Sequence, residues 1–99
     1  MSQNKVTVVA TFKAKAGMEE VLRDACLALL EPTRAEAGCL NYDFHQSCKD
    51  GATFMFYENW ESKEALNQHM ATPHLQALLA KLPELVAEPG EIAFWKMLA

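Results

Sequence analysis

The side chains best suited to chemistry lie in one stretch of the sequence, from Glu58 to His74. Glu58 and Trp60 are two residues apart, so in a strand their carboxylate and indole share one face. His69 and His74 lie on either side of Thr72-Pro73, a pair typical of a helix that starts afresh. Because an unperturbed histidine has a pKa of about 6.5, it can take up a proton near neutral pH. The stretch therefore indicates acid–base chemistry beside an aromatic ring.

Apolar periodicity along the chain predicts the elements that must position these side chains. The first helix should bury a stripe that includes Met18, Val21 and Leu22. This alternation of strands and helices, in one domain spanning 1–99, predicts an α+β ferredoxin-like βαββαβ fold. Both helices would then cover one face of an antiparallel sheet. The predicted order is strand 5–13, helix 18–30, strand 39–47, strand 53–60, a helix from 63 that restarts at 73, and strand 91–98.

Turn and capping residues predict where these elements end. Asp50-Gly51 is typical of a hairpin turn, and Ser62 is typical of a helix N-cap. Gly38 is expected to close the first helical region in a left-handed conformation. Pro32 should kink the first helix near its end, and Pro83 should disrupt the last one, because proline lacks an amide donor.

Composition excludes several classes of protein. The chain has 99 residues, 51% of them apolar, which favours one folded domain over disorder. With 9 basic against 13 acidic residues, its net charge of -4 argues against nucleic-acid binding. No apolar run approaches the roughly 18 residues of a membrane span, and residues 1–5 show no secretory pattern. We therefore expect a soluble, cytoplasmic protein that binds neither nucleic acid nor membrane.

Cysteine usage gives no sign of a metal or disulfide framework. The chain has three cysteines, an odd number, without zinc-type spacing. We expect reduced thiols without catalytic duty, no metal and no cofactor. A metal site from His45, His69 and His74 stays open as an alternative, which no ligand spacing supports.

Both faces of the predicted sheet carry apolar side chains. In the last strand, Ile92 and Phe94 alternate with Ala93 and Trp95. Two small helices can cover only one face, and the other would expose more apolar surface than monomers normally tolerate. A second copy packed sheet against sheet by two-fold symmetry would cover it, so the sequence predicts a homodimer.

The motifs of the chemical stretch resemble a known family. Glu58-Asn59-Trp60 reads E-x-W, residues 62–66 read S-x-E-A-L, and residues 69–75 read H-x-x-T-P-H-L. Together with the helix-to-strand junction at 31–42, they resemble the antibiotic-biosynthesis-monooxygenase superfamily, especially its small quinol-monooxygenase-like members. The resemblance implies a homodimer, a dimeric α+β barrel with a pocket between sheet and helices. It also implies oxidation of a small aromatic, phenolic or quinol substrate by dioxygen, without metal or flavin.

This resemblance gives the candidate residues their roles. His69 is the expected base, since its helix position should turn it towards the sheet. Trp60 could stack on a substrate ring, and Glu58 could orient a histidine or bind a substrate hydroxyl. The expected substrate pocket also includes Phe56, Leu66 and His74.

Each role has a structural alternative. Glu58 and Trp60 could close the edge of the core, His69 could bond a helix-end carbonyl, and His74 could be a cap or surface residue. His45 is expected to be exposed. The alternatives for the whole protein are a non-catalytic ligand-binding dimer, an isomerase and a haem-degrading monooxygenase. The last uses a first-strand Asn, which residues 5–13 lack.

Overall fold

The computed structural model describes residues 4–99, so residues 1–3 of the N-terminal segment considered above lie outside it. None of the helices in the described range is long and apolar enough to cross a membrane. Within residues 4–99 four strands and four helices follow one another along the chain. They are β1 (Val6–Lys13), α1 (Glu19–Leu27), α2 (Leu30–Arg34), β2 (Cys39–Gln46), β3 (Thr53–Trp60), α3 (Lys63–Met70), α4 (Pro73–Leu85) and β4 (Glu91–Trp95).

The strands form one antiparallel sheet in the order β2-β3-β1-β4. Val8 on the central strand β1 pairs with Glu58 on β3 and with Phe94 on β4. Glu58 in turn pairs with Tyr42 on β2. These four residues therefore point to the same face of the sheet. The α+β ferredoxin-like fold predicted from the sequence is confirmed.

The core lies between the sheet and the helices. Alternate residues of β1 and β3 supply its sheet side, which follows from the period of two in their apolar pattern. Helices α3 and α4 contribute Leu66, Leu75 and Leu78 from the other side. The buried sheet residues on this face, which include one from β2, are Val8, Ala10, Phe12, Tyr42, Phe54, Phe56, Glu58 and Trp60.

Two side-chain caps create the break between α3 and α4. The Ser62 hydroxyl accepts a hydrogen bond from the Ala65 amide at 3.1 Å and starts α3. The Thr72 hydroxyl accepts from the Leu75 amide at 3.4 Å and starts α4, with Pro73 in its first turn. Both caps confirm the sequence prediction.

The two helix prolines behave differently. Pro32 lies inside α2, and the predicted kink is present just before it, as an interruption at Ala28 and Leu29. This is because the proline ring clashes with the carbonyl four residues before it. The predicted disruption at Pro83 is wrong, since α4 continues to Leu85. The buried Leu85 anchors that last turn in the core.

Two further sequence predictions were too extensive: the buried stripe of the first helix and the length of the last strand. Val21 and Met18 are exposed, because α1 faces the core only through the side that carries Leu22 and Cys26. The last strand ends at Trp95 rather than residue 98. Its final pairing is Thr7 with Trp95, close to the start of β1, so little partner strand remains beyond it.

The uncovered face of the sheet is mixed rather than uniformly apolar. Asn59 donates to Asn41 at 2.8 Å on this face, and the Thr7 hydroxyl also bonds Asn59. Exposed apolar side chains concentrate instead at the β4 edge and the segment after it. Trp95 points to the uncovered face and is 60% exposed. The apolar surface to be covered is thus centred on one edge strand.

Gly38 is expected to be the most sensitive glycine near the helix–sheet junction. Its φ is +85°, and an added Cβ would stand 2.5 Å from Ala65 Cβ in α3. Gly38→Ala should cost about 1–2 kcal/mol for the left-handed backbone and a further 1–3 kcal/mol, roughly, for overpacking. Urea unfolding measures the loss.

Gly17→Ala is the matched control. Gly17 also has a positive φ, +89°, but open space where its Cβ would lie. It should therefore show only the backbone cost. Equal losses in the two variants would contradict close packing of Gly38 against α3.

Candidate active site

A small cavity lies between the sheet and helices α3 and α4. Its volume is about 30 Å³, enough for a water molecule but not for an aromatic ring. Most of its wall is apolar, including Val8 and Ala10 of β1. Among the described residues, the polar side chains on its wall are Tyr42, Glu58 and His69. These three groups are therefore the ones that can meet a ligand in an otherwise apolar site.

The cavity reaches the surface at the edge of the sheet. Ile92 and Phe94 of β4 line it, yet Phe94 is 62% exposed. Ile92 is 40% exposed. A ring-sized ligand would enter here and would need the apolar walls to move apart.

His69 forms the buried end of the site. It comes from the last turn of α3 and is only 2% exposed. Its Nδ1 lies 2.8 Å from Glu36 Oε2, and its ring stacks on Trp60 with centroids 4.5 Å apart. Tyr42 contacts it edge-on at 5.5 Å. The imidazole is thus held from two sides within the core.

Glu36 joins both candidate histidines. It lies between α2 and β2, and its Oε2 is also 2.7 Å from His74 Nε2. An ionised carboxylate accepts hydrogen bonds and cannot donate, so each ring donates an N–H to this oxygen. In its neutral form His69 then carries its proton on Nδ1. Its Nε2 is left as an acceptor, and no side chain or backbone group in residues 4–99 bonds it.

Burial and Glu36 act on the His69 ring in opposite directions. Burial lowers the pKa of His69, because a charged imidazolium is poorly solvated in the core. The hydrogen bond and negative charge of Glu36 offset part of that effect, and His74 adds to the lowering. The net direction is downward, so the neutral ring with a free Nε2 is favoured at neutral pH.

Glu58 is a second buried titratable group on the cavity wall. It is 5% exposed, and its Oε1 accepts a hydrogen bond from Trp60 Nε1 at 3.0 Å. Burial raises the pKa of Glu58 to about 7, against the lowering effect of the Trp60 bond. The charge of Glu36 contributes to the rise. Glu58 can therefore hold or release a proton near neutral pH.

The structure brings the predicted site residues into two groups. Phe56, Leu66, Glu58 and His69 line the cavity. Within the described part of the chain Trp60 and His74 lie outside that lining, Trp60 against His69 and His74 against Glu36. His45 is exposed, as expected, on the uncovered face of the sheet.

Sequence reasoning missed Glu36 and Tyr42. Glu36 is 33 residues from His69 and 38 from His74, so no spacing along the chain signals their contact. Tyr42 has a detectable signal, since its alternation with Asn41 and Asp43 puts it on the buried face of β2. Burial also raises the pKa of Tyr42, which keeps its hydroxyl protonated.

Glu36, His69 and His74 also form a group of potential metal ligands. One donor atom from each residue lies within 4.8 Å of the other two. Their contacts in this structure are hydrogen bonds at 2.7 and 2.8 Å.

Comparison with known proteins gives the family. The family model described as antibiotic biosynthesis monooxygenase matches residues 5–81. The protein Rv0793 of Mycobacterium tuberculosis, provisionally named a monooxygenase, is 36% identical over 84 residues, which cover 85% of this chain and 82% of that protein. Its solved structure superposes with a TM-score of 0.92 at 32% identity and covers 96% of both chains.

Two further relatives differ in what their names state. The uncharacterized protein sll1783 of Synechocystis is 30% identical over 96 residues. That match covers 97% of this chain but 65% of the relative, so the chain spans less than two thirds of its length. An isomerase of (4S)-4-hydroxy-5-phosphonooxypentane-2,3-dione from Klebsiella pneumoniae is 35% identical over 56 residues, 57% of each chain.

The sheet, its helices and the apolar cavity with a buried histidine define an α+β protein of ferredoxin-like fold. With the match over residues 5–81 and the 36% identity to the mycobacterial protein, the chain belongs to the antibiotic biosynthesis monooxygenase family.

Glu58→Gln is expected to remove a pH-dependent cost of folding. With its pKa raised from 4.5 to about 7, Glu58 binds its proton more tightly in the folded chain. Stability therefore falls as pH rises through that window. At pH above 7 the variant should be more stable than the wild type, by on the order of 3 kcal/mol.

Urea unfolding of both proteins at pH 5 and pH 8.5 tests this. The Gln side chain can still accept the Trp60 hydrogen bond, so the difference should shrink towards pH 5. An equal difference at both pH values would contradict a buried Glu58 with a raised pKa.

Proposed function

We propose that this protein is a cofactor-independent monooxygenase that oxidises a small aromatic, phenolic or quinol substrate with dioxygen. The observation that carries the proposal is the state of His69. Its Nδ1 bonds Glu36, its ring borders a mainly apolar cavity, and its Nε2 is free to accept a proton. A base placed in an apolar site is what deprotonation of a weakly acidic hydroxyl requires.

The chemistry follows from that proton transfer. His69 Nε2 takes the phenolic proton, and the resulting electron-rich anion reacts with dioxygen. A carbon–oxygen bond forms on the ring, one oxygen atom stays as the new oxygen substituent, and the other leaves as water. For 1,4-naphthoquinol the balanced products are hydroxynaphthoquinone and water, and the proton held by His69 returns in the water.

The other candidate residues support this reaction from defined positions. Phe56 and Leu66 contact the ring of the substrate, and Glu58 faces its polar groups from the sheet. Trp60 is a positioning residue, since it stacks on His69 and donates to Glu58. His74 acts through Glu36, whose carboxylate it shares with His69.

The proposed assembly is a homodimer. Exposed apolar side chains gather at the β4 edge, on the same strand that supplies Ile92 and Phe94 to the mouth of the cavity. A stable interface buries about 800 Å² per partner. A second copy packed over this edge and the uncovered sheet face would cover Trp95 and close the cavity mouth from outside.

An isomerase is the second candidate function. Two proton carriers, His69 and Glu58, face one cavity, so one could remove a proton from a carbonyl substrate while the other returns it. The likeness to the Klebsiella isomerase supports the same candidate. Isomerisation consumes no oxygen, which separates it from the monooxygenase.

The remaining alternatives have less support. A haem-degrading site is expected to draw a polar side chain from the first strand, whereas β1 contributes Val8, Ala10 and Phe12 to the cavity wall. A non-catalytic ligand-binding dimer would use the same cavity. Saturable binding of quinols and phenols without product formation would identify it.

His69→Ala should abolish most turnover of 1,4-naphthoquinol while the fold persists. Loss of a general base typically costs about 10²–10⁴ in rate. The measurement is incorporation of one ¹⁸O atom from labelled dioxygen into the quinone product, because spontaneous oxidation of the quinol adds no oxygen to the ring. Circular dichroism checks the fold.

His45→Ala is the matched control, since His45 is an exposed histidine on the opposite face of the sheet. It should retain wild-type incorporation. Undiminished incorporation in His69→Ala would remove His69 from the mechanism.

Trp95→Asp should weaken the proposed dimer. A charge placed in a buried apolar contact is strongly unfavourable. By sedimentation the wild type should have a mass near twice 11.1 kDa, and the variant should shift towards the single-chain mass.

Val21→Asp is the control, because Val21 is also exposed but lies on α1, away from the β4 edge. It should remain dimeric. A wild type that sediments as a single chain, or equal dissociation of both variants, would contradict an interface at Trp95.

A further inference from the structure

Three metal-ligating side chains converge beside the cavity from different parts of the chain. Glu36 lies between α2 and β2, His69 in the last turn of α3, and His74 in the first turn of α4. His69 is almost fully buried, whereas the His74 side chain is 24% exposed. The cluster therefore has a buried end and a side open to solvent.

The surrounding contacts hold the two histidines in place. The Thr72 hydroxyl donates to the His69 carbonyl oxygen at 2.7 Å and accepts from the Leu75 amide of α4. It thereby ties the end of α3 to the turn that carries His74. Trp60 packs on the ring of His69. These contacts fix the backbone between the two histidines and the plane of the His69 ring.

The donor set suits a divalent transition metal. Zn²⁺ binds imidazole nitrogen and carboxylate oxygen at about 2.0–2.2 Å, often in sets of two histidines and one glutamate. Tetrahedral geometry at those lengths puts neighbouring donors about 3.3 Å apart. The nitrogen-to-oxygen distances are 2.8 and 2.7 Å here, so the donors need to separate by roughly half an ångström. The partly exposed His74 can make that movement.

We propose that Glu36, His69 and His74 form a binding site for one Zn²⁺ or similar divalent transition-metal ion. The ligands are Glu36 Oε2, His69 Nδ1 and His74 Nε2, with solvent completing the coordination on the His74 side. In the metal-free protein the same atoms are joined by hydrogen bonds. On binding, the proton of each coordinating nitrogen moves to the other nitrogen of its ring.

This shift changes what His69 presents to the cavity. With Nδ1 on the metal, the neutral ring carries its proton on Nε2, which then donates instead of accepting. This consequence rests on the proposed function, in which His69 Nε2 is the base. Zn²⁺ bound to His69 Nδ1 should therefore inhibit turnover, because Nε2 of the same ring can no longer accept the substrate proton.

Metal binding is tested directly with Co²⁺ and Zn²⁺. Metal-free protein is titrated with Co²⁺, whose visible absorption reports low-coordinate nitrogen and oxygen ligation, and Zn²⁺ then displaces it. All proteins carry Cys48→Ser, because the exposed Cys48 thiol would bind both ions. The expected result is one ion per chain.

The variants assign the site. Loss of a residue that only hydrogen-bonds a metal ligand weakens metal binding about 10- to 100-fold. Glu36 and His74 are proposed as ligands themselves, so Glu36→Gln and His74→Ala should each weaken metal binding by at least about 10-fold. Both keep the buried His69, and circular dichroism checks their fold. His45→Ala should bind as the wild type does. Absence of binding, or binding that neither variant weakens, would overturn the proposal and leave a hydrogen-bonded cluster only.

Inhibition is measured separately, as the ratio of quinol turnover with and without Zn²⁺ for each protein. A turnover ratio well below one in the wild type, and closer to one in His74→Ala, supports the change of His69 Nε2 from acceptor to donor when Zn²⁺ binds. Binding assigned to the three ligands with a wild-type ratio of one would keep the metal site and contradict His69 as the base. A protein without turnover on any quinol would count against the proposed function, and the Co²⁺ titration would still decide the site.

Discussion

The carboxylate of Glu36 is the group on which the arrangement of the site depends. One of its oxygens accepts hydrogen bonds from His69 and from His74, and so fixes which nitrogen of each ring carries the proton. Its charge opposes the effect of burial on the pKa of His69 and contributes to the raised pKa of Glu58. A single side chain thus couples the titratable groups on both walls of the cavity. Without it, Trp60 and Tyr42 would still pack against the His69 ring, but no hydrogen bond within residues 4–99 would select the nitrogen that carries its proton.

The fold serves to bring Glu36 to that position. The left-handed Gly38 lets the chain turn from α2 into β2 against Ala65 of α3. The Ser62 and Thr72 caps fix the start of α3 and the break before α4. These are local features, and for that reason the sequence predicts them. Strand β3 was predicted with its correct bounds, because its alternation and the preceding Asp50-Gly51 turn are equally local.

What the sequence could not predict depends on packing between distant segments. Pro83 was expected to break α4, but the burial of Leu85 outweighs the local preference of one proline. The contacts of Glu36 could not be predicted, because its hydrogen-bond partners His69 and His74 lie on a different pair of helices. The resemblance gave Trp60 a role beside the substrate, and only the fold shows that it also stacks on His69 and donates a hydrogen bond to Glu58. Residue types pointed to His69 as the candidate base, and only the fold shows that Glu36 bonds its ring.

Glu36 holds neutral His69 with its proton on Nδ1 and leaves Nε2 as an acceptor. The most direct measurement is nitrogen-15 NMR of the imidazole rings in the metal-free protein, since ring nitrogen shifts distinguish the two tautomers. We expect a protonated Nδ1 and an unprotonated Nε2 for His69, and loss of that preference in Glu36→Ala. A proton on Nε2 of His69 in the wild type would contradict it.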